Sequence, residues 1–326
     1  MDPISPPPRR KVYRLFALAA FAAVALFTVA AVRSAPEGTF ARLRDADPLL
    51  LVAGFVTYGT AFFFRGARLN FLLPAESRIS TPRAWSLSAA SLFFIQVLPL
   101  RGGELATWAA IRAALGTGWL RSGAVFFAAK LVDSAVLILV GLAGVASALA
   151  VGRTPALGLA AGAATAAGAA LLLLAPRFAG EVAVRLAARL PEASRRARFA
   201  REVSEALGVA RAEPRRYLAA VAAAAACTAT QVAAVSLMLR GLGIEVSPAG
   251  VAVTLLFSAL ASATIPSPVG NFGPTETGFA AGLALAGVPL PVGLLASALL
   301  HLLSALSAGV AGLPFLFRHG AAALSK

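Results

Sequence analysis

The chain has 326 residues, of which 59% are hydrophobic and 13% are charged, and its formal net charge is +15. Soluble domains carry roughly 25% charged residues, so this composition excludes an ordinary soluble domain and predicts a polytopic membrane protein. The positive residues cluster at the ends of apolar segments and in one loop. That pattern is typical of cytosolic membrane flanks, so we do not expect a nucleic-acid partner.

Residues 1–14 are predicted to be a basic cytosolic tail, and residues 15–317 a single transmembrane domain followed by a cytosolic tail at 318–326. Six apolar segments are each predicted to cross the bilayer, which takes about 20 apolar residues as a helix. The first also resembles a signal peptide, but the further spans favour a retained anchor. The six segments lie near residues 15–32, 49–64, 122–150, 156–175, 217–239 and 291–317.

Two regions are apolar but interrupted, and they do not fit simple spans. Residues 85–115 and 249–287 each contain a Pro/Gly break between two short arms. Arms of about 11–14 residues reach roughly 16–21 Å as helices, less than the roughly 30 Å core of a bilayer. Each region is therefore predicted to be a re-entrant hairpin of two half-helices, or a pair of short tilted helices, that returns the chain to the side it entered.

This arrangement places the strong positive clusters on one side of the membrane. The loop 176–216 has ten Arg against five Glu and lies on that side. The positive-inside rule then predicts both termini in the cytosol of a bacterial cell, with the protein in the inner membrane. Apolar residues at helical spacing in this loop, such as Val182 with Leu186 and Val203 with Leu207, fit either an amphipathic helix on the inner leaflet or a solvated connector.

The two hairpins suggest an internal inverted repeat. Arg68 precedes Glu104 by 36 residues, and Arg240 precedes Glu276 by the same number. Both glutamates follow a Pro/Gly break and open a second half-helix. Interrupted segments in corresponding positions of two halves are typical of the substrate site of a transporter.

Charges in the first hairpin are the main functional candidates. The stretch "VLPLRGGELATW" places Arg101, Gly103 and Glu104 inside an apolar run, where a charge costs roughly 2.5–3.5 kcal/mol on insertion scales. One interpretation is a polar crevice in which Arg101 and the half-helix amides bind a phosphate, and Glu104 holds Arg101 or a cationic part of the ligand. The other is that Glu104 only caps the helix and neutralises Arg101.

The second hairpin and the neighbouring segments add further candidates. Glu276 is either a helix cap or the counterpart of Glu104, and Asn271 offers donors and an acceptor to a ligand. Lys130 and Asp133 share one helix face, as a structural ion pair or as a proton or substrate relay. Arg68 is a further candidate for substrate binding, and with Arg65 it is expected to reach lipid head groups. His301 is expected to be a hydrogen-bonded packing residue.

The motifs resemble one known family. "LPLRGGELATWAAIRAALG", "FFAAKLVDSAVLILVG" and "IPSPVGNFGPTETGFAAGLALAGV" occur in the order found in the lysylphosphatidylglycerol synthase transmembrane-domain family, also called flippase-like. Lys130 replaces the arginine expected there, and Pro274 is an extra proline. The resemblance implies a lipid-translocating membrane domain. A chain of 326 residues leaves no room for the aminoacyl-transferase domain of the larger relatives, so we expect the translocating part alone.

The leading hypothesis is therefore a non-enzymatic flippase for phospholipids or other lipids with phosphate-bearing head groups. We expect no metal site and no cofactor, and the absence of a nucleotide-binding loop leaves passive, ion-coupled or partner-driven transport open. Membrane lipids are the expected partners, and a separate lipid-modifying enzyme is a further candidate. The alternatives are a non-transporting membrane scaffold and an intramembrane enzyme acting on lipid head groups; the latter lacks a convergent nucleophile and base in the sequence.

Overall fold

The computed structural model describes residues 44–98, 102–150, 162–163, 165, 167–168, 178–192, 194–265, 267 and 271–324. In these stretches the chain forms helices and turns without a β-strand, which confirms the predicted all-α class. The predicted span at 15–32, most of the predicted span at 156–175, and Arg101 lie outside the described residues.

The first half of the described chain contains a long helix, two short ones and a second long one. Asp47 caps the first helix by accepting hydrogen bonds from the backbone nitrogens of Leu49 at 2.8 Å and Leu50 at 3.2 Å. A proline in the first turn suits this helix start because the missing N–H would have no partner there. The helices are α1 (Pro48–Leu72), α2 (Thr81–Val97), α3 (Gly102–Leu115) and α4 (Trp119–Ala150).

The second half repeats this order after two connecting helices. The connecting helices are α5 (residues 178–189) and α6 (Arg195–Ala212). The helices that follow are α7 (Pro214–Gly241), α8 (Pro248–Thr264), α9 (Pro274–Leu285) and α10 (Leu290–Leu324).

The helix lengths confirm the two predicted hairpins. In the described chain, α1, α4, α7 and α10 are long and apolar enough to cross a bilayer. By contrast, α2, α3, α8 and α9 have 17, 14, 17 and 12 residues. At 1.5 Å per residue they reach only about 18–26 Å. We call the packed pair α2 and α3 hairpin 1, and the packed pair α8 and α9 hairpin 2.

The packing of the helices has the symmetry expected of an inverted repeat. The two units are α1–α4 and α7–α10, and α1 packs along α7 at their junction. The first arm of each hairpin then packs against the last span of the other unit, α2 on α10 and α8 on α4. Each hairpin is therefore held by both units, and a movement of one unit changes the surroundings of both hairpins.

Glycines allow the two arms of each hairpin to pack closely. A Cβ atom on Gly103 would lie 2.3 Å from the carbonyl oxygen of Phe94 in α2. A Cβ atom on Gly278 in α9 would lie 2.5 Å from the carbonyl oxygen of Phe257 in α8. Because these neighbours are backbone atoms, the arms cannot approach this closely around a larger residue. Small residues at helix contacts have this role in many membrane proteins.

The connecting helices pack against the first unit. Val203 and Leu207 of α6 are buried, and they form a cluster with Ala124 and Ala128 of α4. This apolar face of the loop 176–216 is therefore a protein contact. The other predicted face, on α5, is exposed, with 37% of Val182 and 51% of Leu186 accessible. Its contact with the inner leaflet stays a prediction.

Arg216 fixes the start of α7 to the end of α1. Its guanidinium donates to the carbonyl oxygen of Leu73 and pairs with Glu213, which directly precedes α7. The hydrogen bond from Arg216 holds the pKa of the Glu213 carboxyl below its usual range. These contacts set the register of α1 against α7 at the predicted cytosolic ends of the two helices.

The close packing of hairpin 1 predicts that alanine destabilises the protein at Gly103 but not at the adjacent Gly102. Gly103→Ala places a methyl group against the backbone of α2, and we expect a loss of about 1–3 kcal/mol in unfolding free energy. Gly102→Ala is the matched control, because its Cβ atom would meet only the Leu98 side chain at 3.8 Å among the described residues. Thermal unfolding of the detergent-solubilised protein measures both. Equal melting temperatures for the two variants would contradict this packing.

Candidate functional site

A cavity of about 350 Å³ lies among hairpin 1, hairpin 2 and three of the long helices. Five of the predicted site residues line it: Gly103, Glu104, Lys130, Asp133 and Asn271. The structure thus brings together candidates separated by up to 168 positions in the sequence, from Gly103 to Asn271. The cavity is lined by charged and amide side chains from α1, α3, α4, α7 and the turn before α9: Arg65, Glu104, Lys130, Asp133, Gln231 and Asn271.

Lys130 and Glu104 form an ion pair that joins α4 to hairpin 1. The Lys130 Nζ atom lies 3.0 Å from Glu104 Oε1, and the two side chains are 41% and 38% exposed. Pairs that are this open contribute little to stability, because water solvates both charges and competes with the pairing. Each side chain can therefore leave the ion pair and bind a charged ligand at a small cost in free energy.

Asp133 does not pair with Lys130, although the two lie on one face of α4. Its partner is Arg68 of α1, whose side chain is only 5% exposed and which also donates to the carbonyl oxygen of Ala129 at 2.7 Å. The alternative of a structural Lys130–Asp133 pair was therefore wrong, because packing of α1 against α4 supplies each of them with another partner. The expectation that Arg68 reaches lipid head groups was also wrong: it is buried beside the cavity, which it does not line.

Arg65 was likewise expected to reach head groups, but it lines the cavity. Among the described residues it has no ion-pair partner. Arg65, Arg68 and Lys130 carry three positive charges against the two negative charges of Glu104 and Asp133. The cavity and its immediate wall therefore have a surplus positive charge, which favours an anionic ligand.

The turn of hairpin 2 is shaped by two residues in the left-handed region. Asn271 has φ 59° and Gly273 has φ 95°. Asn271 faces the cavity from this turn. Asparagine and glycine are the residues that adopt this conformation most readily, so the "GNFG" sequence permits the sharp entry into α9.

Glu276 lies outside the cavity, fully buried beneath this turn. One carboxylate oxygen accepts a hydrogen bond from the Gly273 backbone nitrogen at 2.6 Å, and the other contacts Nδ1 of His301. Its relative exposure is 0%. The contacts of Glu276 are thus those of a helix cap. In this conformation no ligand in the cavity reaches it. His301 is confirmed as a buried, hydrogen-bonded residue.

Each hairpin glutamate pairs with a basic side chain on the span that follows its hairpin. Glu104 pairs with Lys130, which lies 26 residues later, and Glu276 pairs with His301, which lies 25 residues later. The proposed repeat therefore extends to the partners of the two glutamates. It does not extend to the arginines, because Arg68 is buried and Arg240 is exposed.

Polar side chains that sequence reasoning missed lie between the cavity wall and the turn of α10 that carries His301. The buried Tyr58 lies beside Gln231, which lines the cavity, and beside Ser304. Gln96 donates to Ser304 Oγ at 2.8 Å, and Ser304 donates to the His301 carbonyl oxygen at 2.9 Å. Amide side chains within apolar runs were the available signal, at Gln96 and Gln231.

The two acidic residues of the cavity are predicted to differ in their contribution to stability. Asp133→Asn leaves the buried Arg68 without its counter-ion, and we expect a loss of up to about 3 kcal/mol, less than for a fully enclosed pair because Asp133 is partly exposed. Glu104→Gln, the matched control, removes half of an open pair and is expected to cost less than about 1 kcal/mol. Thermal unfolding in detergent compares them, and a larger loss for Glu104→Gln would contradict this assignment.

Comparison with known proteins supports the resemblance seen in the motifs. The sequence profile of the family described as "Lysylphosphatidylglycerol synthase TM region" matches residues 14–312. No curated protein and no solved structure matches the chain. The match includes both hairpins, α1, α4 and α7, most of α10 and every residue of the cavity wall. The chain therefore belongs to the lysylphosphatidylglycerol synthase transmembrane-region family.

Proposed function

We propose that this protein translocates phospholipids, or other lipids with phosphate-bearing head groups, across the bacterial inner membrane without chemical change. The observation that carries the proposal is the charged cavity lined by both hairpins and three of the long helices. Moving a charged head group through hydrocarbon is strongly unfavourable, whereas a polar cavity at the level of the hairpin turns replaces part of its hydration. The acyl chains stay in the surrounding lipid.

The charges of the cavity suit the two ends of a phospholipid head group. Lys130 and Arg65 provide cations for the phosphate, and their charge-assisted hydrogen bonds are stronger than neutral ones. Glu104 and Asp133 provide carboxylates for an amino group, if the head group has one. A volume of about 350 Å³ lies within the range of small-molecule sites and is large enough for a head group.

The proposal includes an orientation and a set of partners. The basic loop 176–216 and both termini lie in the cytosol, as the distribution of positive residues favours. The partners are membrane lipids, together with a separate enzyme that makes or uses the transported lipid.

The proposal predicts that Lys130→Gln slows the transbilayer movement of anionic lipids. Losing a hydrogen bond to a charged group costs about 1.5–3 kcal/mol, which corresponds to a rate lower by roughly tenfold or more. Dithionite quenching of fluorescent phosphatidylglycerol in proteoliposomes measures the rate, and zwitterionic and aminoacylated lipids rank the head groups. Arg240→Gln is the matched control, because Arg240 is an exposed cation outside the cavity.

Two results would count against the proposal. If the wild-type protein accelerates the movement of no lipid in the panel, the protein is better explained as a membrane scaffold. If it moves lipids and Lys130→Gln moves them equally fast, the head group does not pass through this cavity.

A further inference from the structure

The Glu276–His301 pair differs in chemistry from the other two ion pairs of the described transmembrane helices. Lys130 and Arg68 are positively charged throughout the physiological pH range, whereas an imidazole gains and loses its charge within it. The pair is also the most enclosed, since the side chains of His301 and Glu276 are 3% and 0% exposed. The most deeply buried carboxylate therefore has the one partner that can exchange a proton.

Burial favours the form of this pair that holds one proton. With one proton shared between Glu276 and His301, the pair carries no net charge, whichever residue holds it. Without a proton, the pair has a net negative charge in a site closed to water, which is strongly unfavourable. Closure of hairpin 2 and the presence of this proton are therefore linked through the free energy of enclosing a net charge.

Among the described residues, no other charge beside the pair compensates for this. His301 stacks on Phe272 with ring centroids 4.0 Å apart, and its Nε2 atom is buried without a hydrogen-bond partner in the described chain. On the neighbouring helices α2 and α8, Gln96 hydrogen-bonds to Ser304 and Ser258 to the Thr275 carbonyl oxygen, and both are uncharged. On α1 and α7, Tyr58 lies beside Ser304, and Arg65 and Cys227 lie near Tyr58.

Polar side chains lie between the cavity and the pair. Gln231 lines the cavity, Tyr58 lies beside both Gln231 and Ser304, and Ser304 lies one helical turn from His301. The equivalent pair of the other repeat, Glu104 with Lys130, is open to the cavity in this conformation. Because each hairpin packs against both units, a rearrangement that closes one hairpin around its glutamate can open the other.

We propose that Glu276 and His301 form a proton-binding site that couples lipid translocation to a proton gradient. The pair takes one proton from water on one side of the membrane and holds it while hairpin 2 is closed. It releases that proton to water on the other side after the hairpin opens. Proton binding and closure are then linked equilibria, so a pH difference biases the direction of lipid movement. This inference rests on the proposed lipid translocation.

The test measures the distribution of fluorescent phosphatidylglycerol between the two leaflets of wild-type proteoliposomes under a difference of one pH unit. Potassium with valinomycin holds the membrane potential at zero. One proton per lipid permits a steady-state leaflet ratio of up to about tenfold, because the gradient itself is a tenfold ratio of protons. We expect a ratio of at least about threefold, which disappears when the gradient is collapsed.

The double variant Glu276→Gln/His301→Gln keeps hydrogen-bonding groups but removes both side chains that can hold the proton, whereas either single variant leaves one of them in place. The double variant is expected to exchange lipid between leaflets and to leave an even distribution under the gradient. His319→Gln, at the other histidine of the chain, is the control and is expected to behave as wild type. If the double variant does not incorporate into vesicles, Glu276→Gln alone is expected to lose the uneven distribution, because a protonated His301 would then carry a net charge in the closed site. The wild-type distribution still decides whether coupling exists.

The outcomes separate this inference from the proposed function. Wild-type protein that moves no lipid overturns both. Wild-type protein that moves lipid to an even distribution under the gradient overturns proton coupling alone. An uneven distribution that persists in the double variant Glu276→Gln/His301→Gln overturns the assignment to this pair.

Discussion

The structure depends on one constraint: a charge inside a bilayer must be paired within the protein or must face water. The described chain satisfies it in three ways. Arg68 and Asp133 are paired between α1 and α4, Lys130 and Glu104 are paired at the cavity, and Arg65 faces the cavity without an ion-pair partner in the described chain. The first pair connects two helices, whereas the other charges are available to a ligand. The head group is therefore expected to bind where the charges are least enclosed.

The repeated architecture places two versions of one arrangement in different surroundings. Each hairpin has a glutamate near the start of its second arm, and each glutamate pairs with a basic residue of the next span. One pair is open to the cavity and the other is closed. Since the first arm of each hairpin packs on the opposite unit, the two arrangements are mechanically connected through α1, α7 and the crossing contacts. This connection is the physical basis for alternation between them.

Sequence reasoning found the helices and hairpins because segment length, apolar content and Pro/Gly breaks are local properties. It also found Glu104, Lys130 and Asn271, since polar residues in apolar runs are rare enough to notice. It did not find the partners, because pairing depends on helix packing across 65 residues for Arg68 with Asp133 and 25 for Glu276 with His301. Arg68 lies near the end of α1, which suggested exposure, but the contact of α1 with α4 encloses it.

The most direct test of a water-accessible cavity between the hairpins is thiol labelling with a membrane-impermeant, charged reagent. In a Cys227→Ala background, Ser134→Cys and Ser262→Cys place thiols in the cavity wall, and Leu142→Cys places one on the exposed apolar surface of α4. We predict that the two cavity thiols react and that excess phosphatidylglycerol slows their labelling, while the thiol of the Leu142→Cys variant stays unlabelled within the bilayer. Failure of both cavity thiols to react, or equal labelling at all three positions, would contradict a polar path between the hairpins.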